Sequence, residues 1–141
     1  MNDASPLVPP DYDPNDREAF MNPMMREFFR QRLLEWKGGI VKDSNSTLSH
    51  LQEENKAEPD LADRASRETD RAIELRTRDR ERKLLSKIDA ALRRLEEGTY
   101  GYCAETDERI SIKRLKARPI AMLSLEAQEM HERKERMHRD E

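Results

Sequence analysis

Two carboxylate residues, Asp60 and Asp63, flank Leu61-Ala62 directly after Pro59, where a long helix is predicted to begin. A carboxylate at the start of a helix accepts hydrogen bonds from free backbone N–H groups and is stabilised by the helix dipole. The same charges, held in solvent at a turn, can instead act on a divalent cation or on a basic loop of a partner. Residue type and spacing leave both interpretations open.

Two groups of basic residues are candidates for binding anionic partners. The first consists of Arg76, Arg80 and Lys83, and the second of Lys87 with Lys113, Arg114, Lys116 and Arg118. Converging cations suit pyrophosphate, which arginine binds through two parallel hydrogen bonds. Charge runs on helices are also common as solvated faces, in which neighbouring carboxylates such as Asp79 and Glu81 relieve the repulsion. The residues alone do not decide between the two interpretations.

The composition restricts the fold and the partners. Of the 141 residues, 35% are hydrophobic and 40% are charged, whereas ordinary soluble domains carry roughly 25% charged residues. Such a chain is either disordered or built from long helices that each bury one thin stripe. The formal net charge of -3 argues against direct binding to DNA, which relies on a basic excess.

Several functional classes lack a signal in the sequence. No apolar run approaches the roughly 20 residues that span a bilayer, and the first 20 residues are acidic and rich in proline. The single Cys103 cannot form an internal disulfide, so we expect a cytoplasmic protein without membrane contact. There is no glycine-rich phosphate loop and no nucleophile beside a base, and His50, His131 and His138 lie far apart. We therefore predict that the protein is not an enzyme.

The residues above are predicted to be positioned by two long helices. Residues 1–20 form an N-terminal arm; Asn22 and Pro23 then give the start signal of a first helix, which should stop before Pro59. A second helix should run from about Leu61 to Glu97, with Gly98 ending it. Its apolar positions are Ala65, Thr69, Ala72, Ile73, Leu84, Leu85, Ile88, Leu92 and Leu95. A helix of this length spans on the order of 55 Å, so we predict an antiparallel coiled-coil hairpin over 21–98.

The hairpin seam should be unequal along its length. Around Trp36, Ile40 and Ile88 it is apolar, but residues 77–82 contain no apolar side chain, so ion pairs should hold part of it. Residues 99–121 contain two short pieces capable of forming β-structure. A final helix is expected within 122–141, with Leu123, Ala127, Met130, Lys134 and Met137 on one face.

Four motifs in order identify a family resemblance: DxxDRA from Asp60, LRxRDRERKL from Leu75, GxYGYC from Gly98 and RLxARP from Arg114. Together they resemble the DksA/TraR-type family of bacterial transcription factors, over about residues 20–138. The resemblance implies a mainly α fold in which a long coiled coil carries a small zinc-finger globule and a C-terminal helix. It further implies a monomer that enters the secondary channel of RNA polymerase and alters open-complex stability together with (p)ppGpp.

The resemblance also implies roles for individual residues. Asp60, Asp63 and Ala65 match the family's tip motif, within an acidic tip at 57–65. Arg76, Arg80 and Lys83 would contact the rim of the channel, and Lys87 and Arg118 match alarmone-binding positions, to which we add Arg114. A third basic alarmone position of the family is Gln128 here, which predicts weaker dependence on (p)ppGpp.

The zinc positions are the largest departure from the family pattern. In place of the family's two CxxC pairs, this chain has Cys103 with Thr106 and Ser124 with Ala127. In the zinc-finger-like segment 99–121, which we call the knuckle, the glycine that the family has after its second Cys is replaced by Asp107. Structural zinc needs four Cys or His ligands, so we predict no zinc and a knuckle held by packing and hydrogen bonds. His131 is a conceivable replacement for one ligand.

Two other functional classes remain as alternatives. A coiled-coil adaptor between two proteins, unrelated to polymerase, fits the interleaved charges and the hairpin equally well. Direct DNA binding through residues 113–118 lacks a recognition helix. The chemistry at Asp60 and Asp63 discriminates, because an adaptor should tolerate their neutralisation.

Overall fold

Four helices make up the regular structure of this protein in a computed structural model that describes residues 7–54 and 61–139. They are α1 (Pro23–Glu54), α2 (Leu61–Glu97), α3 (Ile112–Ala117) and α4 (Leu125–Arg139). The chain divides into two units: a hairpin unit, Leu34–Asp89, and a knuckle unit, Met1–Leu33 with Ala90–Glu141. The predicted mainly α fold class is confirmed. None of the described helices is long and apolar enough to cross a membrane.

Helix α1 begins where the sequence predicts. Pro23 is its first residue, and the side-chain oxygen of Asn22 accepts a hydrogen bond from the Met25 N–H at 3.0 Å, which is an N-cap. The helix ends at Glu54. Residues 55–60, which include the predicted turn and Asp60, lie outside the described residues.

The two helices of the hairpin unit run antiparallel. Lys37 donates to Asp89 at 2.7 Å, and Ser44 donates to Glu81 at 2.7 Å, so rising numbers on α1 meet falling numbers on α2. Ile40 and Ile88 are buried in this seam. The predicted coiled-coil hairpin is therefore present.

Toward the N-terminus of α2 the seam is polar. The half-buried residues there are Arg67, Arg71, Glu74, Thr77 and Glu81, which continue the three-and-four spacing of Leu85 and Ile88. The predicted apolar stripe of Ala65, Thr69, Ala72 and Ile73 is exposed instead, so that part of the prediction was wrong. The larger residues from Leu85 onward fix which face of α2 meets α1, and the smaller stripe falls on the opposite face.

The knuckle unit has a conventional apolar core. Its buried side chains come from α1, the end of α2, the knuckle and both short helices: Met25, Phe29, Leu33, Ala91, Leu95, Tyr100, Cys103, Ile110, Ile112, Leu115, Ala121 and Ala127. Tyr100 is tied into this core because its hydroxyl donates to the Pro119 carbonyl at 2.8 Å. Burial raises the pKa of Tyr100, so it remains a neutral donor.

The segment after α2 contains less β-structure than predicted. Gly98 ends the helix with φ +80°, and one isolated antiparallel bridge joins Tyr102 to Arg109. No second β-piece is found in the described segment 99–121, which instead contains α3. Its helix is set by Ser111, whose side chain accepts from the Arg114 N–H at 3.2 Å as an N-cap.

The N-terminal arm packs against the rest of the knuckle unit from about Tyr12 onward, whereas Leu7 is exposed. Pro14 is fully buried, and Tyr12 donates to Glu18 at 2.8 Å. The Phe20 ring lies edge-on to Tyr102 at 5.3 Å between centroids. A Cβ at Gly101 would lie 2.9 Å from that ring, so only glycine allows this close approach.

Helix α4 starts three residues later than predicted. Ser124 accepts from the Ala127 N–H at 3.2 Å, so the helix begins at Leu125 rather than near Met122. On the predicted apolar face only Ala127 is buried, whereas Met130, Lys134 and Met137 are exposed.

Gly38 and Gly39 lie inside α1 on its exposed side, and a Cβ at either would meet no atom within 4 Å. Each glycine destabilises a helix interior by about 1 kcal/mol relative to alanine. We therefore predict that Gly38→Ala and Gly39→Ala each raise the free energy of unfolding by roughly 0.5–1 kcal/mol, measured by urea denaturation. Gly101→Ala is the matched control. It should lower the free energy of unfolding, because its Cβ would lie 2.9 Å from the Phe20 ring. Unchanged stability in both helix variants would contradict the prediction.

Candidate functional site

The described part of the predicted tip is exposed. Asp63 lies in the first turn of α2, and both Asp63 and Ala65 are solvent-accessible. A carboxylate in the first turn is stabilised by the helix dipole, so capping chemistry and an accessible charge coexist at Asp63. Asp60, its predicted companion, lies outside the described residues.

One face of α2 carries a row of cations. Arg76, Arg80, Lys83 and Lys87 recur at spacings of three and four, and all four are exposed. That spacing places them on a single helix face, which we call the outer face because the half-buried seam residues lie opposite. From Arg76 to Lys87 the row spans roughly 17 Å.

The two carboxylates that lie within this row make their contacts with other residues. Asp79 pairs with Arg82, and Glu81 accepts from Ser44 across the seam. Arg76 and Arg80 make only long hydrogen bonds within α2, to the Ala72 carbonyl and the Thr77 hydroxyl, both at 3.4 Å. In the part of the chain that the structure describes, no carboxylate forms an ion pair with any of the four cations. Asp79 and Glu81 are thus not ion-paired with these cations.

The predicted alarmone residues belong to two different units. Lys87 lies in the hairpin unit, whereas Arg114 and Arg118 lie in the knuckle unit. Arg118 is exposed at the end of α3, but Arg114 is half-buried and its Nε donates to the Leu123 carbonyl at 2.9 Å. Arg114 thus has a structural role that its residue type did not reveal.

The arm supplies a contact that sequence reasoning missed. Asp13 accepts from Lys116 at 2.8 Å, so one cation of the 113–118 cluster already has a carboxylate partner. The two residues are 103 positions apart in the chain, and no local spacing signals such a pair.

The sulfur of Cys103 stands at the centre of the knuckle. Cys103 is 1% exposed, and its sulfur receives hydrogen bonds from the Thr106 hydroxyl and from the backbone N–H groups of Ser124, Glu105 and Thr106. These donors come from both segments that hold the degenerate zinc positions. Burial by itself raises the pKa of this thiol, but the hydrogen bonds outweigh it and lower the pKa to about 6. A pKa this far below the ordinary value favours the thiolate at neutral pH.

The backbone around the sulfur keeps a tight turn. Cys103 N–H donates to the Glu108 carbonyl at 2.7 Å, and Asp107 N–H donates to the Cys103 carbonyl at 2.9 Å. Asp107 has φ +59°, a left-handed conformation that glycine adopts most readily and aspartate tolerates. The aspartate therefore occupies the conformation expected of the knuckle glycine.

The donor set of the knuckle does not fit a structural zinc ion. Of the four positions, Cys103 offers a thiolate, Thr106 and Ser124 offer hydroxyls, and Ala127 offers a methyl group. His131, the conceivable substitute, instead contacts the carboxylate of Glu105. Across residues 7–54 and 61–139, no group of three or more His, Cys, Asp or Glu side chains is arranged to hold a metal ion. A closed tetrahedral site needs four nitrogen or sulfur ligands.

An antiparallel helical hairpin, a zinc-finger-like knuckle and a following helix define a class of small, mainly helical proteins. Residues 25–95 match the family model of the DnaK suppressor protein DksA, N-terminal domain, and residues 98–133 match that of the prokaryotic dksA/traR C4-type zinc finger. The chain belongs to the DksA family.

Named relatives agree with this assignment. The chain is 60% identical over 142 residues, covering both proteins completely, to the RNA polymerase-binding transcription factor DksA of Caulobacter vibrioides. It is 37% identical to the Escherichia coli K12 protein of that name, covering 89% of this chain and 83% of the other. Transcription factor DksA2 from Pseudomonas aeruginosa superimposes with a TM-score of 0.79 at 41% identity, covering 84% of this chain and 91% of that one. Because these relatives are transcription factors, the prediction of a non-enzyme is confirmed.

The thiolate of Cys103 predicts a specific pH dependence of stability. The pKa of Cys103 is about 6 in the folded protein and about 8.5 in the unfolded chain. The ionised sulfur therefore adds to the free energy of unfolding. This contribution is complete above the unfolded pKa and is lost as pH falls through 6. We expect the melting temperature of the parent to exceed that of Cys103→Ser by a margin that grows from pH 6 to pH 9.

The comparison with Cys103→Ser removes the contribution of other titrating groups, because both proteins contain them. A chelator should leave the melting temperature of the parent unchanged. A margin independent of pH, or a large loss with chelator, would contradict the hydrogen-bonded thiolate.

Proposed function

We propose that this protein binds bacterial RNA polymerase and regulates transcription initiation by inserting the turn between α1 and α2 into the secondary channel. The relatives named RNA polymerase-binding transcription factors support the partner. The observation that carries the proposal is the outer-face row of Arg76, Arg80, Lys83 and Lys87, which has no carboxylate partner among the described residues. Unpaired cations on an exposed face attract an acidic surface and set the orientation of docking.

If the row of cations docks on polymerase, the start of α2 extends beyond the docked surface. The row lies on the middle of the helix, whereas Asp63 lies in the first turn, about 20 Å away along the axis from Arg76. A protein surface that holds the row thus leaves the tip free to reach further into a channel. A carboxylate delivered there acts on the polymerase electrostatically, through its divalent cation or a basic loop.

The proposal includes (p)ppGpp at the interface between factor and polymerase. Lys87 and Arg118 are exposed and can bind phosphate. The Nε of Arg114 donates to the Leu123 carbonyl, so Arg114 would bind phosphate through its two terminal nitrogens. Gln128 supplies no charge at the third position, and its side chain donates to Glu132 at 3.3 Å. Alarmone dependence should accordingly be weak. The factor acts in the cytoplasm as a monomer and does not bind DNA.

The tip carboxylates provide the central test of this function. Asp60→Asn combined with Asp63→Asn should leave the affinity for polymerase within about twofold, because rim contacts supply the binding. The effect on a ribosomal RNA promoter should nevertheless be lost, as measured by transcription in vitro with and without (p)ppGpp.

The matched control is Asp70→Asn, which neutralises another exposed carboxylate of α2 and should behave like the parent. If the double variant regulates normally, the chain is an adaptor rather than a channel-inserting regulator. A mobility shift of promoter DNA by the factor alone would argue for direct DNA binding.

Gln128 provides a separate test of the alarmone site. Gln128→Lys restores a cation at the third basic position, and one added charge-assisted contact to phosphate contributes roughly 1–2 kcal/mol. We expect the (p)ppGpp concentration for half-maximal effect to fall about five- to tenfold, with transcription in its absence unchanged. Gln128→Met removes the amide without adding charge and should have no such effect. Equal responses of the two variants would exclude this position from the alarmone site.

A further inference from the structure

The outer face of α2 does not end at Arg76. Toward the N-terminus of the helix the same spacing of three and four continues through Ile73, Ala72, Thr69 and Ala65, all exposed. Because the face is opposite the seam with α1, these residues have no described helix against them. The outer face therefore has two parts. An apolar segment is formed by Ala65, Thr69, Ala72 and Ile73, and a basic segment is formed by Arg76, Arg80, Lys83 and Lys87.

Side-chain contacts make the apolar segment more apolar than its composition suggests. The Thr69 hydroxyl donates to the Ala65 carbonyl at 3.1 Å, so what Thr69 offers a partner is mainly its methyl group. Ile73 has 52% of its surface exposed and is the largest apolar side chain of the segment. Its neighbours Ala65, Thr69 and Ala72 are small, which allows another protein backbone to approach closely around it.

The two segments are linked directly. The Arg76 Nε donates to the Ala72 carbonyl at 3.4 Å, which holds the first cation of the row beside the apolar segment. From Ile73 to Lys87 the combined surface extends roughly 21 Å along the helix. Stable protein interfaces place an apolar anchor next to charged groups that fix orientation, and this face has both components in one line.

We propose that Ile73 is the apolar anchor of the polymerase contact, seated between the tip and the row of cations. This inference rests on the proposed function and adds a residue and a partner chemistry to it. The occupant is a segment of RNA polymerase that presents an apolar side chain opposite Ile73 and carboxylates opposite Arg76, Arg80 and Lys83. The partner is identified by charge complementarity with the row and by the continuity of the apolar segment with it.

The test compares two isolated substitutions on the same helix. Ile73→Ser removes the anchor, whereas Leu75→Ser removes a side chain of similar exposure, 44%, that lines the groove between the helices with Val41 and Arg78. Binding of each full-length variant to core RNA polymerase is measured by equilibrium titration. We expect Ile73→Ser to weaken binding about five- to tenfold, as loss of an interface anchor does, and Leu75→Ser to change it less than twofold.

The dependence of binding on salt separates the anchor from the cations. Loss of Arg80 in Arg80→Ala should reduce the salt dependence of affinity, because screened charge pairs are what salt weakens. Ile73→Ser should lower affinity by the same factor at low and high salt. An Ile73→Ser loss that disappears at one salt concentration would overturn the assignment of an apolar contact.

Folding is checked by the helix content and melting temperature of every variant, and Ile73→Leu, which keeps an apolar side chain, should retain binding. If the parent does not bind polymerase, the proposed function itself fails. If the parent binds and Ile73→Ser binds equally well, or both serine variants lose affinity alike, only the anchor is refuted.

Discussion

Two paired helices have a single narrow seam in which to bury apolar side chains. Among the side chains of this hairpin that the structure describes, those buried in the seam are Ile40 and Ile88. Further along, Ser44 and Glu81 meet through a hydrogen bond, and half-buried Arg67, Arg71 and Glu74 continue the seam. Polar contacts of this kind contribute about 1 kcal/mol or less each. The polar part of the hairpin is therefore held in register without strong apolar burial, and apolar residues such as Ile73 remain on the outside.

In the knuckle, two chain segments are held together although only one of the four zinc-ligand positions is a cysteine. A structural zinc ion gives its folding energy through thiolate coordination. Here one thiolate remains, and hydrogen-bond donors from both segments converge on Cys103. The arm adds a second closure, because Phe20 packs on Tyr102 and against Gly101, while Arg109 stacks on the Phe20 ring at 5.0 Å. Hydrogen bonds to Cys103 and aromatic contacts of Phe20 thus hold the segments that a zinc ion would otherwise join.

Much of the fold could be predicted because the strongest signals are local. Asn22, Pro23 and Gly98 are cap residues that act through their own backbone geometry, so the start of α1 and the end of α2 were predicted correctly. Two short β-pieces were expected within 99–121, but this segment contains one isolated bridge and helix α3, which the N-cap at Ser111 starts. A polar seam was predicted at residues 77–82, but its continuation toward the N-terminus of α2 was assigned to the wrong face. Spacing alone fits two opposite faces of α2, and the burial of Leu85 and Ile88 decides between them only in three dimensions.

The candidate site was predictable to the extent that it depends on exposed residue types. Arg76, Arg80, Lys83 and Lys87 are where their spacing placed them, but the pairing of Asp79 with Arg82 rather than with the row depends on side-chain geometry. Likewise, Arg114 is directed to the Leu123 carbonyl and Lys116 to Asp13 by contacts that are distant in sequence. Because Asp79 is paired with Arg82 and Glu81 faces Ser44 across the seam, the four cations of the outer face have no carboxylate partner among the described residues. A protein with a net charge of -3 thereby carries a basic face along the middle of α2 and an exposed carboxylate, Asp63, near the start of the same helix.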